Sequence, residues 1–300
     1  MPVQRLDAVD EDELVRELVR RVGSAGREQA TELIAKLVDG LHAKAAGRLS
    51  TALVPTRELD YGRDRIELVV SSPAIAKRLG SVAKEPFTVE WIEQNVKAGD
   101  VFYDIGANVG PYSLIAAKAT QGRARIFAFE PAPASFRDLA QNVALNECDD
   151  CVTPLPLALW SETTMLQASW SSPHAGAARH RLAGADGSTA SMVVALRLDD
   201  LVSLFDLPLP SHAKIDVDGS ELEVLRGAPN TLASPTWQSI IIELDPGETD
   251  RNREIGGLLA AAGFDDGVRH DRVASRRYPD PDERPDVYWT FTRTGRASAA

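Results

Sequence analysis

The chain has 300 residues, 44% of them hydrophobic, enough apolar material for one large domain or a catalytic domain with an extension. Its 44 acidic residues outnumber 33 basic ones, giving a formal net charge of −11, the opposite of the basic footprint that nucleic-acid binding needs. No apolar run approaches the roughly 18 residues that cross a bilayer, and the N-terminus lacks the apolar core of a secretory signal. A cytoplasmic protein without nucleic-acid or membrane partners is expected.

In chain order, Leu14, Val15, Leu18 and Val22, then Leu33, Ile34, Leu37, Val38 and Leu41, recur at helical spacing. Gly23 to Gly26 divides them into two amphipathic helices. Residues 59–70 alternate in polarity and predict a short hairpin turning at Gly62 to Asp64. Residues 1–84 thus read as a helical and hairpin extension.

From Glu85 the pattern changes, and residues 85–293 read as the catalytic domain. Pro86 opens a helix carrying Val89, Ile92 and Val96, with Trp91 as a core residue, and Gly99 closes it. Strands are predicted at 101–105, 125–130, 153–159, 165–169, 193–196, 213–216, 239–244 and 287–292. Helices follow several of them, the signature of a doubly wound α/β fold with a mainly parallel sheet covered on both faces. Residues 269–286 read as a loop, and 294–300 as a disordered tail.

Two cysteines, Cys148 and Cys151, form a lone Cys-x-x-Cys in an apparent turn with Asp149 and Asp150. Without a second pair or a nearby histidine they cannot complete a tetrahedral zinc site, and they read as free thiols.

The sharpest chemical signal is Val101-Phe-Tyr-Asp-Ile-Gly-Ala-Asn-Val-Gly110, a buried strand entering a glycine turn and then a helix. Gly106 and Gly110 let backbone approach a ligand, and the helix N-terminus offers amides to an anion. A dinucleotide fingerprint would carry glycine where Asn108 stands, and Asp104 before the turn would repel a pyrophosphate. An acidic group there suits a ligand carrying both an ammonium and a carboxylate, as S-adenosylmethionine does. Twenty positions past Gly110, the second strand ends in Glu130-Pro131, and an acid at that tip can accept both ribose hydroxyls.

These pieces resemble the FkbM-type methyltransferase family. The matching segments are Glu85-Pro-Phe-Thr88, Asp104 to Gly110, Ala128-Phe-Glu130-Pro131, Leu198-Asp-Asp-Leu201, Lys214-Ile-Asp-Val-Asp-Gly-Ser-Glu221, Val224-Leu-Arg-Gly227 and Ile241-Ile-Glu243-Leu. The likeness runs from about Leu59 to Phe291, and departs where Asp218 stands in place of the family's usual glutamate. It implies a Rossmann-like class I methyltransferase that O-methylates hydroxyls, commonly of sugars or natural products. It implies S-adenosylmethionine as cofactor, held by Glu85, Thr88, Asp104, Gly106, Asn108, Gly110, Glu130, Pro131 and Ala158.

Ligands of open α/β sheets lie beyond the carboxyl ends of the strands. Asp216 and Asp218 end one strand and Glu243 the next, so these carboxylates are the candidate catalytic group, with His212 a weaker candidate. An alcohol acceptor must lose a proton, and a positioned base helps by about 10²–10⁴-fold. The same carboxylates, Asp216, Asp218 and Glu243, could instead hold Mg²⁺ to lower the pKa of the acceptor hydroxyl, but no obvious histidine or asparagine cluster completes the set, so direct base catalysis is favoured over the metal.

Other polar residues have simpler readings. Ser220 with Glu223 fits a capping box, Asp199 an N-cap, and Lys214 an ion-pair partner, while Glu221 either complements a helix dipole or joins the site. His174 and His180 belong to a solvated loop with Trp170 and Pro173. Two alternatives stand beside the methyltransferase: a metal-dependent glycosyltransferase using Asp216-Val-Asp218, and a non-catalytic cofactor-binding protein. The acceptor is expected to be a small molecule or glycan, its identity set by loops at 1–80, 170–192 and 269–286. Homo-oligomerisation stays open.

Overall fold

The computed structural model describes residues 54–170, 174–176, 181–182, 190–271 and 287–294. The helices expected within residues 10–45, His180, and the tail from 295 lie outside the described residues. The chain divides into two compact units, Met1–Pro55 and Thr56–Ala300, and the sheet and its helices belong to the second.

The hairpin pairs β1 (Thr56–Glu58) antiparallel with β2 (Glu67–Val69), closed by a hydrogen bond from Leu59 N to Ile66 O. Two short helices follow, α1 (Ile75–Arg78) and α2 (Ser81–Lys84), then α3 (Pro86–Asn95) with proline in its first turn as expected. The sheet begins with β3 (Val101–Ile105), α4 (Pro111–Ala119), β4 (Arg125–Phe129), α5 (Pro133–Leu145) and β5 (Val152–Leu155). The hairpin falls within the Thr56–Ala300 unit. Asn142 of α5 and Asn146 just after it accept hydrogen bonds from Val69 N and Glu67 N, satisfying an edge that would otherwise lie open.

The strand expected at 153–159 is two strands in two sheets. Pro156 cannot donate to a ladder, and the chain folds tightly around it, with Leu157 N bonded to Leu155 O. Beyond it, β6 (Ala158–Leu159), β7 (Thr164–Ser169), β8 (Arg181–Leu182) and β9 (Ala190–Leu196) form a small sheet in the order β6-β9-β7-β8.

The main sheet resumes with α6 (Leu198–Phe205), β10 (His212–Ile215), α7 (Glu221–Arg226), α8 (Pro229–Ala233), β11 (Ser239–Leu244) and α9 (Thr249–Ala261). It closes with β12 (Val268–Asp271) and β13 (Val287–Thr292). Residues 268–271, whose last three were expected in a loop, pair with β13 as an edge strand. The final order is β12-β13-β11-β10-β3-β4-β5, parallel from β5 to β11 with β13 antiparallel to its neighbours.

Alternate residues of each strand face opposite cores. Phe102, Ile126, Ile241 and Tyr288 pack with Trp91, Leu114 and Leu139 on one face. Tyr103, Phe127, Ile240 and Ile242 pack with Trp237, Leu225 and Leu259 on the other. The strand order reverses between β3 and β10, and that switch point opens a crevice beyond their carboxyl ends.

Candidate functional site at the switch point

The turn after β3 is built for close approach. Gly106 and Ala107 both donate backbone hydrogen bonds to Phe129 O, at 3.0 and 2.9 Å. Gly106 has φ +84°, and a Cβ there would overlap the carbonyl oxygen of Asp216, so the turns after β3 and β10 lie in direct contact. Asn108 holds a left-handed φ of +52°, a conformation that asparagine tolerates better than most residues. Gly110, at φ +90°, caps α4.

Glu130 stands at the tip of β4, nearly fully buried. Its carboxylate accepts from Asn108 N and from Ala132 N, each at 2.8 Å, which locks the first turn to the second. Desolvation by burial pushes its pKa up to about 7 against the pull of those two amides; nearby Asp218 adds to the rise. Pro131 follows, half-buried, before α5.

One face of the sheet buries a charged pair between apolar neighbours, Ala128 on β4 and Ile241 on β11. Asp104 and Lys214 are register partners on β3 and β10, and parallel partners share a face. Asp104 is fully buried; Ser113 donates to its Oδ2 at 2.6 Å, while its Oδ1 has no hydrogen-bond partner. Burial raises the Asp104 pKa, partly offset by the Lys214 charge and by Ser113. Lys214, 1% exposed, reaches Asp216 Oδ2 at 2.6 Å, and its ammonium lies 4.9 Å from the centre of the Tyr112 ring. Burial works to lower the Lys214 pKa, but Asp216, Asp104 and Glu85 outweigh it and the net shift is upward. Tyr112 donates to Glu85 Oε2 at 2.5 Å.

At the carboxyl end of β11, Tyr288 on β13 sits opposite Glu243, its hydroxyl 3.1 Å from both Glu243 Oε1 and Asp216 Oδ2. Asp216 and Glu243 are therefore brought together, but through a tyrosine that nothing in the sequence pattern singled out. Val287–Thr292 reads as an ordinary terminal strand; only its antiparallel pairing with β11 puts Tyr288 beside Glu243.

Several candidates stand apart from this pair. Asp218 is exposed, in a left-handed turn at φ +54°, and its charge reaches Glu130, whose pKa it helps to raise. His212 is a correction: it lies at the amino end of β10, away from the crevice, contacting Ser239 Oγ at 2.8 Å and Asp100 Oδ2 at 3.4 Å. Thr88 is buried within α3, its Oγ1 without a partner. Ala158 is buried in β6 of the small sheet, paired with Ala195.

The simpler readings also resolve. Ser220 makes no capping bond to α7. Glu221, 2% exposed, instead accepts from Gly219 N at 2.9 Å and Val217 N at 3.3 Å, holding the loop after Asp216 in shape. Asp199 caps a helix, but across space: it accepts from Asn230 N and Thr231 N at the start of α8. Cys148 and Cys151 are free thiols. Among the described residues no three histidine, cysteine or carboxylate groups converge as a metal site.

The model of the methyltransferase FkbM domain matches residues 104–265, more than half of the chain and the whole span from Asp104 past Glu243. The chain belongs to the FkbM methyltransferase family. It is 30% identical over 207 residues to the hexuronic acid methyltransferase AglP of Haloferax volcanii, covering 62% of this chain and 81% of that protein. It is 28% identical over 221 residues to the methyltransferase sdnD of Sordaria araneosa, covering 64% and 83%. A solved FkbM methyltransferase from Methylobacillus flagellatus KT aligns at 13% identity with a TM-score of 0.45, over 70% of this chain and 60% of that one. Methyl transfer is thus the family's activity, and the glycosyltransferase reading of Asp216-Val-Asp218 is set aside. No helix among the described residues is long and apolar enough to cross a membrane.

Proposed function

We propose that this member of the family is an S-adenosylmethionine-dependent O-methyltransferase acting on a hydroxyl of a sugar, in a glycan or glycosylated metabolite. The observation that carries the cofactor reading is Asp104 Oδ1. It is a buried carboxylate oxygen without a protein partner, beside a glycine turn and a helix N-terminus. Burying an unpaired carboxylate oxygen is costly, and a ligand ammonium would satisfy it. The charge balance supports the same ligand. Glu85, Asp104 and Asp216 surround the Lys214 ammonium, with Glu243 beside Asp216, so a cofactor with an ammonium and a sulfonium suits this acidic cluster.

Bound there, S-adenosylmethionine supplies a methyl group activated by its positive sulfur. Glu130 accepts the ribose hydroxyls, and the backbone beyond Gly110 meets the carboxylate. Asp216 or Glu243 would take the proton as the acceptor's O–H bond breaks, its new O–C bond forms and the methyl's bond to sulfur breaks, leaving neutral S-adenosylhomocysteine. Lys214 holds Asp216 in place for this task, its ammonium 2.6 Å from Oδ2. Its ammonium also stands where the metal reading would need a cation, so EDTA is expected to leave turnover intact.

The sugar acceptor rests on the hexuronic acid relative and on the absence of a basic surface charge for nucleic acid. Two measurements test the proposal. Mass spectrometry of the purified protein should find copurified S-adenosylhomocysteine or S-adenosylmethionine. Labelled-methyl screening against hexuronic acids, neutral sugars, peptides and polyketides should give transfer to a sugar oxygen; transfer only to a protein side chain would sink the acceptor reading.

A further inference from the structure

We propose that Arg78 is a specificity residue of the acceptor site, its guanidinium receiving an anionic group carried by the acceptor sugar. The inference rests on the sugar O-methyltransferase reading above and narrows it to acidic sugars. Its ground is the way the chain seats this side chain. Arg78 ends α1, and its Nε donates to Gly176 O at 3.2 Å. Gly176 is itself held in place. Its N donates to Ser135 Oγ in the first turn of α5, and it packs at φ +80° so closely that a Cβ would lie 2.8 Å from Ile75 Cγ1. Beside it, Ala175 O accepts from the buried Ser72 Oγ at 2.6 Å. Residues 175–176 are thereby sewn to α1 and α5, and the half-buried Arg78 side chain is fixed at one end by its helix and at the other by a carbonyl.

A guanidinium has five N–H donors, and Gly176 O takes the one on Nε. Among the described residues its two terminal nitrogens have no hydrogen-bond partner, and no carboxylate lies within ion-pair distance. Glu130, whose pKa the Arg78 charge helps to lower, gives its own oxygens to the amides of Asn108 and Ala132 instead. That influence, with the seat on the first turn of α5, puts the guanidinium by the ribose end of the crevice. The cofactor has no anion to offer there, since ribose and adenine are neutral and its carboxylate belongs with the α4 amides. In a chain of net charge −11, a fixed guanidinium outside any ion pair is fit for an incoming anion. Its planar fork matches a carboxylate or a phosphate, so the anion is that of a uronic acid or of a sugar phosphate.

Calorimetry on protein saturated with S-adenosylhomocysteine tests this, with glucuronate, glucuronamide, glucose 6-phosphate and glucose as probes. The measurement is made at about pH 8, above the raised Glu130 pKa of about 7, so that Glu130 is ionised with or without Arg78. At least one of the two anions should bind about tenfold or more tighter than the neutral probes, and the tighter one names the group. Arg78→Gln keeps a donor for Gly176 O; it should abolish that preference and leave S-adenosylhomocysteine affinity within about twofold. A preference retained in the variant overturns the proposal, as does wild-type protein that binds neither anion or binds charged and neutral probes alike. A variant that loses about tenfold or more in S-adenosylhomocysteine affinity overturns it too, by giving Arg78 to the cofactor. Wild-type protein without any affinity for S-adenosylhomocysteine would instead sink the cofactor reading, and this proposal with it. Should Arg78→Gln fail to fold, glucuronate against glucuronamide on the wild type decides, because the amide keeps the shape and loses the charge: equal affinity overturns the proposal.

Discussion

Asp216 stands two residues past Lys214, just beyond the end of β10, and the buried ammonium of Lys214 lies 2.6 Å from Oδ2 of Asp216. Residues two apart on a strand share a face, so the pair is formed by local geometry and then sealed by the helices above it. A buried pair of this kind is costly to break from one side, because the survivor is left charged in a dry place.

The first consequence concerns stability. Lys214→Met removes the one ammonium among Asp104, Asp216 and Glu85 while keeping the volume. Unfolding by urea should show a loss of about 3–5 kcal/mol, the usual cost of orphaning a buried charge. A loss below about 1 kcal/mol would mean that the carboxylates are protonated or hydrated rather than balanced by Lys214.

Asp216→Asn asks about chemistry. Asparagine keeps an acceptor for Lys214, and Asp104 and Glu85 remain near the ammonium, so the fold should survive. Turnover on a sugar acceptor should fall by about 10²-fold or more, as for a lost general base. Near-normal turnover would transfer the base role to Glu243.

Cofactor affinity should depend on pH through Glu130. Its pKa is raised from 4.5 to about 7, so the folded protein binds this proton more tightly than the unfolded chain. The group's contribution to stability is therefore greatest below its ordinary pKa and declines as pH rises through about 7. Ribose hydroxyls are better accepted by the ionised carboxylate, so binding runs the other way. Calorimetric affinity for S-adenosylhomocysteine should weaken as pH drops below 7, by up to about tenfold per unit. Glu130→Gln should bind more weakly at high pH and lose this dependence; a profile identical to wild type would remove Glu130 from the ribose site.

Gly106 offers a test of the joint between the two turns. Alanine there would have to adopt φ +84° and would also press its Cβ into the Asp216 carbonyl. Either the β3 turn or the β10 turn must move. Gly106→Ala should reduce S-adenosylhomocysteine affinity by at least about tenfold, combining left-handed strain of about 1–2 kcal/mol with the displaced turn. Unchanged affinity would show that the two turns are free to separate.

The sequence alone carried the strand-turn-helix around Gly106 to Gly110, the acid at Glu130, and the placement of Asp216 and Glu243 at strand ends. All of these are local: alternation, turn glycines and a fixed spacing along the chain express them without tertiary context. The doubly wound class followed from the alternation of strands and helices in the same way. What alternation cannot express is which strands become neighbours. Tyr288 meets Glu243 only because β13 returns antiparallel beside β11, and His212 leaves the site because β10 runs four residues from it to the crevice. Glu221 and Asp199 look like ordinary helix-end acids, yet one shapes the Asp216 loop and the other caps a helix 30 positions away. Pairing across the sheet is decided by burial of both faces at once, and that is a property of the packed chain rather than of any segment of it.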